Sequence, residues 1–190
     1  MLFAQDLAAA KKTDSLNNPP NLATATLKKT DGASMLPAND ITANIARSPE
    51  LSAFYKAIQA AGLDETFKSR GPFTVFAPNN QAFGGSAAGK LDTLQRADHK
   101  YDLKALITYH SLAGIVTAKD ITHAINSNKG MATFITLTGS KLMAKFDANR
   151  NIVLVDENGG QSVISKFDLN QSNGLIHITT AVLIPRFKNL

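Results

Sequence analysis

Hydrophobic residues recur along this chain with two different periods, and the change falls near Met131. Before it the spacing is close to four. In "SPELSAFYKAIQAAG" (48–62), Leu51, Phe54, Tyr55 and Ile58 stand at i, i+3, i+4 and i+7, which predicts a helix with one apolar stripe. Ser48 offers a cap, Pro49 suits a first turn, and Gly62 follows the end. "DITANIAR" (40–47) predicts a shorter helix before it. "DLKALITYH" (102–110) repeats the stripe through Leu103, Leu106, Ile107 and His110, and so directs His110 inward. "AKDITHAI" (118–125) predicts one more short helix, with Thr117 as its cap.

After Met131 the period falls to two. "TFITL", "KLMAKF", "NIVLV", "QSVISKF" and "LIHITTAVLIP" read as five strands, punctuated by Gly139-Ser140, Asp147-Ala148-Asn149, Asn158-Gly159-Gly160 and Asn173-Gly174. Short turns between closely spaced strands imply antiparallel pairing. Helices in the first half and strands in the second define an α+β domain. An earlier strand, Phe73 to Phe76, breaks at Pro78-Asn79-Asn80, where proline lacks a ladder donor and asparagine tolerates turns. Residues 1–38, with Asn17-Asn18-Pro19-Pro20 and no sustained apolar period, are expected to form a flexible lead-in or trimmed export segment. The compact domain is expected over 39–187.

A length of 190 residues suits one domain with a sizeable core, and 44% apolar with 18% charged residues is ordinary for a globular protein. The net charge of +5 is spread thinly, its longest basic runs being the pairs Lys11-Lys12 and Lys28-Lys29. A nucleic-acid partner is therefore not expected. The absence of cysteine excludes disulfides, thiolate zinc sites and cysteine nucleophiles. No apolar run approaches a membrane span, and "MLFAQDLAAAKK" lacks the basic leader and apolar stretch of an intact signal peptide.

Candidate chemistry is thin. "GGSAAGKL" (84–91) satisfies G-x-x-x-x-G-K, but Leu91 stands where a phosphate loop needs a magnesium-binding hydroxyl. Ala88 likewise replaces the second glycine of a nucleophile elbow. The four histidines, His99, His110, His123 and His177, show no helical zinc spacing. The pairs Asp64-Glu65 and Asp156-Glu157 read as a helix start and a hairpin turn. No nucleophile, base and oxyanion site assemble, so neither catalysis nor a cofactor is expected. His110 has two readings: a core imidazole anchored to backbone, or part of an exposed recognition dipeptide with Tyr109.

Three separated stretches, "TVFAPNNQAF" (74–83), "LITYH" (106–110) and "NGLIHITTAVLIP" (173–185), resemble in order the signature segments of the fasciclin domain family. The segment from Met35 to Phe73 is similar to that family's opening helices. The resemblance implies a wedge of two packed β-sheets flanked by helices, without catalysis. It implies adhesion outside the cell by low-affinity binding of a surface protein or polysaccharide, the domain being secreted, periplasmic or on the cell surface, as a monomer or weak oligomer. On this reading Pro78, Asn79 and Asn80 form a structural corner, the two amides turning onto nearby backbone. Tyr109-His110 matches a dipeptide implicated in receptor contact in animal members, and Asp120-Ile121 matches an aspartate–isoleucine segment with a similar role. Asp168-Leu169 falls where a second such segment stands, with Leu in place of Ile. Two alternatives stay open: a small-ligand carrier or hydrolase with a pocket between sheet and helices, and a structural module of an envelope assembly.

Overall fold

A computed structural model describes residues 29–30, 33–84 and 99–186 of the chain. A short antiparallel ribbon, β1 (Lys29–Thr30) with β2 (Ala33–Ser34), precedes the helical half. Residues 1–28 of the expected lead-in lie outside the described residues. Within its remainder, Met35 is buried in the core, and the Leu36 backbone exchanges hydrogen bonds with the Asn44 amide.

Helix α1 (Ile41–Arg47) is capped by Asp40, whose carboxylate accepts the Ala43 N–H at 2.7 Å. The expected 48–62 helix forms in two pieces, a 3-10 turn at Pro49–Leu51 and α2 at Ser52–Ala60. Ser48 is buried and makes no side-chain capping bond; its N–H instead closes α1 on the Ile45 carbonyl. Of the predicted stripe, Leu51, Phe54 and Ile58 are fully buried. Asp64 does begin a helix, α3 (Asp64–Lys68). Strand β3 (Phe73–Pro78) and the single turn α4 (Asn80–Phe83) follow, and after the undescribed segment come α5 (Lys100–Tyr109), β4 (Ser111–Ala113) and α6 (Ala118–Ser127). As the pattern requires, Thr117 caps α6, in a reciprocal box with Asp120.

The strands of the second half are β5 (Met131–Ile135), β6 (Lys141–Phe146), β7 (Ile152–Val155), β8 (Gln161–Gln171) and β9 (Gly174–Thr179). Each pairs antiparallel with the next. The sheet order is β4-β3-β9-β8-β7-β6-β5, so β9 also receives β3 as a parallel neighbour. The two sheets that the resemblance implies thus share one strand. β8 pairs with β7 through Gln161 to Val163 and with β9 through Ile164 to Gln171, with register shifts between Ile164 and Leu169. Such bulges bend a strand and increase its twist.

Two apolar clusters lie on opposite faces of β3. Val75 and Ala77 join the helices through Ile45, Phe54, Ile58 and Leu106. Phe76 points the other way, into Tyr109, Leu142, Leu154 and Ile121 of the second cluster. The layers are therefore α1 to α5, the β4-β3-β9-β8 part of the sheet, then β5 to β7 with α6. Each fully buried large side chain contributes roughly 1.5–3 kcal/mol by its removal from water.

One strand is shorter than its pattern predicts. The run 175–185 stops as β9 at Thr179. Thr180 N–H still reaches the Val163 carbonyl of β8, but from Ala181 onward several backbone N–H groups find side chains instead. Ala181 donates to Ser162 Oγ, Leu183 to His110 Nε2, Ile184 to an Asp156 carboxylate oxygen and Arg186 to Glu157. An apolar run reports burial, and burial persists here through Val182 and Leu183 without a ladder.

Candidate functional site

The Tyr109-His110 pair is interior. Helix α5 ends at Tyr109, and His110 follows as its C-cap. Both side chains are 0% exposed. Nδ1 of His110 lies 2.8 Å from the Leu106 carbonyl, and Nε2 accepts the Leu183 N–H at 3.0 Å. That pair of partners fixes a neutral tautomer with the proton on Nδ1. Burial pushes the imidazole pKa down to about 4, against the opposing pull of the Leu106 carbonyl and the Asp156 charge. The Tyr109 hydroxyl donates to the Lys141 carbonyl at 2.8 Å, and burial raises its pKa. Tyr109-His110 presents no surface; it ties α5 to β6 and to the segment after β9.

At the corner, Pro78 ends β3. Asn79 caps α4, its side-chain oxygen accepting the Ala82 N–H at 2.9 Å. Asn80 reaches across to the start of α2, accepting from Ala53 N–H at 3.0 Å and donating to the Pro49 carbonyl at 2.8 Å. Both amides engage backbone. Of the glycine-rich loop, Gly84 alone is described, and 85–91 lie outside the described residues.

The other two candidate segments converge. Ile121 and Leu169 are buried, whereas Asp120 is exposed and Asp168 half-buried. The Asp120 carboxylate accepts from Thr117 N–H and hydroxyl, and those bonds hold its pKa below the usual carboxylate range. Asp168 adopts φ +55° within the bulged stretch of β8. Its Oδ1 accepts the Ala118 N–H at 2.9 Å, the first free amide of α6. His177 braces the same junction, stacked on Phe76 with 5.3 Å between centroids. Its Nε2 lies 2.9 Å from the Val116 carbonyl, and its Nδ1 accepts the Asp168 N–H at 3.4 Å.

Against this junction opens a cleft of about 440 Å³. Ala118, Lys119 and Thr122 of α6 form one wall; Phe167 and Asp168 of β8 form another; Phe146, Arg150 and Asn151, at the β6–β7 turn, form the third. Arg150 sits at φ +65°, its guanidinium 4.5 Å from the centroid of the Phe146 ring. Asp147, beside it in sequence, is occupied by Asn149 and Asn151, and the Asn151 side-chain bond leads in lowering its pKa. Among the described residues neither Lys119 nor Arg150 forms an ion pair. Phe167 is 49% exposed. The cleft therefore offers two cations, two aromatic rings and a carboxylate within a size range ordinary for ligand sites. No pattern along the chain marks Lys119, Arg150 or Phe167, because three elements distant in sequence build the cleft.

Among the described residues, no cluster of His, Asp or Glu is suited to hold a metal ion, and no helix is long and apolar enough to cross a membrane.

Residues 49–185 match the family model described as Fasciclin domain. Protein sll1483 of Synechocystis sp. is 31% identical over 134 residues, covering 70% of this chain and 67% of that protein. Uncharacterized protein sll1735 of the same organism is 30% identical over 135 residues, covering 70% of this chain and 88% of the relative. Periostin of Homo sapiens is 31% identical over 136 residues, which span 72% of this chain and only 15% of periostin. Among solved structures, a FAS1 domain pair from the insect cell adhesion molecule Fasciclin I superposes with a TM-score of 0.65 at 18% identity, over 79% of this chain and 51% of that one. That likeness reports the shared fold, helices first and a largely antiparallel sheet after. With most of its length matched by the family model, the chain belongs to the fasciclin domain family.

Proposed function

We propose that this chain is a non-catalytic binding domain that acts outside the cytoplasm, holding a surface protein or polysaccharide by non-covalent contact. Its family occurs in an insect cell adhesion molecule, which supports an adhesive role. One observation carries the choice of surface: the segments at Asp120 and Asp168 meet beside an open cleft, while Tyr109 and His110 are enclosed. Recognition by this face does not need the enclosed pair to touch a partner. Tyr109 and His110 tie α5 to β6 and to the segment after β9, whereas Asp168 and His177 hold the start of α6 against β8. The reading also weighs against a carrier or hydrolase built on His110, whose two nitrogens both face main-chain groups.

Affinity per domain is expected to be low, since the cleft is small beside a standard protein interface. Probing an array of matrix proteins and polysaccharides with the purified chain tests the reading. Hits are expected to weaken at least tenfold in Arg150→Glu and to persist in Tyr109→Phe. Hits that survive Arg150→Glu at full strength would move recognition to another face.

A further inference from the structure

We infer that the cleft between α6, the β6–β7 turn and the β8 bulge takes a uronic-acid unit of an acidic polysaccharide, its carboxylate at Lys119 and Arg150 and its ring against Phe167. This names the ligand class for the face assigned above, and so rests on that assignment.

The lining favours this chemistry over a bare anion and over an acidic peptide. Two cations without an ion pair among the described residues call for an anion on the ligand. The arginine offers a planar fork that suits a carboxylate, and its position over Phe146 limits its freedom before any ligand arrives. A ligand that is only an anion meets an obstacle, because Asp168 lines the same cleft. Oδ1 of Asp168 is engaged by Ala118 N–H, while its second oxygen has no partner among the described residues. That oxygen repels a bare polyanion but accepts hydrogen bonds from hydroxyl donors. The ligand must therefore carry an acid and hydroxyls together. Thr122, on the wall of Lys119, adds a hydroxyl, and Asn151, beside Arg150, adds an amide whose nitrogen already donates to Asp147. Phe167, half exposed in the same lining, presents apolar surface to the C–H face of a sugar ring. An acidic peptide satisfies the cations but supplies no array of hydroxyl donors for Asp168.

The test is calorimetric titration of the full chain with three probes: an oligogalacturonate, the neutral galactose oligomer of equal length, and an oligoglutamate peptide. The uronate is expected to bind, at least tenfold more tightly than either of the others, and to weaken with added salt. Arg150→Gln is expected to weaken uronate binding about tenfold. Asp168→Asn keeps an oxygen for Ala118; it is expected to weaken the uronate and strengthen the peptide, because repulsion is removed along with an acceptor. Equal binding of the neutral oligomer, or peptide binding as tight as the uronate, overturns the assignment. So does failure of the uronate to bind. In those cases array hits still lost in Arg150→Glu keep the face and discard the ligand class, whereas hits insensitive to that change discard both. Circular-dichroism melting of each variant separates lost binding from lost fold.

Discussion

Polar side chains in the interior and polar side chains around the cleft differ in where their hydrogen bonds end. Asn173, buried at the start of β9, accepts from Ile41 N–H and donates to the carbonyls of Phe67 and Ser69. Asn44 links Leu36 to Gln171 in the same way. His110 and His177 each bridge two main-chain groups. Every one of these closes on the chain itself. At the cleft, Lys119 and Arg150 have no countercharge among the described residues, and Asp168 holds one oxygen in reserve. Burial makes an unpaired group costly, which favours satisfied polar groups inside, although the buried Thr179 hydroxyl has no partner among the described residues; water lets the surface leave groups for a partner. The division separates folding from recognition, and it can be broken at either end.

The largest effect is expected at Gly174, which faces Phe73 across the parallel β3–β9 pair. A Cβ there would stand 2.1 Å from the Phe73 carbonyl oxygen and 2.9 Å from Ile41 Cδ1. Gly174→Ala must push β3 or α1 away and weaken the bonds that Asn173 makes beside it. Overpacking typically costs about 1–3 kcal/mol, and a clash with backbone places this one at the upper end of that range. A urea midpoint shift of that size, with lost array binding only in proportion to lost fold, supports an interior role. An unshifted midpoint would show that the close approach is not needed.

Acid should expose the His110 anchor next. Its folded pKa, about 4, lies below the ordinary value of 6.5, so between those limits the unfolded chain binds the extra proton. Stability from this group is whole above pH 6.5 and falls as pH drops toward 4. The full loss is about 3 kcal/mol, from 1.36 kcal/mol per unit. Denaturation across that range should show a steeper fall for the parent than for His110→Gln, which cannot titrate. Equal slopes would mean that the imidazole is already charged in the fold.

How far the sequence speaks follows the same division. The helices were legible because their stripes and caps are local: Thr117 and Asp120 stand three residues apart, and Leu103, Leu106, Ile107 and His110 share one face. The interior direction of His110 followed from that stripe, but its partner Leu183, 73 residues away, did not. Asn173-Gly174 reads as a turn, but the turn falls at Ser172-Asn173 and Gly174 already opens β9; the pattern holds nothing of the three Asn173 bonds to α1, α3 and Ser69, nor of the contact with Phe73. Asp168 stands just beyond a strand-like run, and no periodicity encodes its φ of +55°. The cleft was invisible because its walls are separated by tens of residues and meet only when β8 bends. A smaller test probes the local kind of information. Asn79→Ala removes an N-cap and should cost about 1 kcal/mol, while Asn80→Ala, more exposed, should cost about half of that. Reversal of that order in thermal melts would make the α2 link the stronger element of the corner.

The smallest expected change in stability is at Arg150, and it sharpens the comparison most. Its side chain is exposed, stacks on a half-buried ring, and makes no ion pair among the described residues. Exposed cation–π contacts contribute about 0.5–1 kcal/mol. Arg150→Gln keeps part of the contact with Phe146, so stability should stay within about 0.5 kcal/mol of the parent. The β6–β7 turn keeps its shape, because Asp147 and Asn151 hold it independently of the guanidinium. A surface group that leaves the fold untouched yet removes binding is what a recognition residue must be. If Arg150→Gln instead lowers the melting point as much as an interior change does, the cation belongs to the folding side of the division, and the cleft loses the charge on which its selectivity for acids depends.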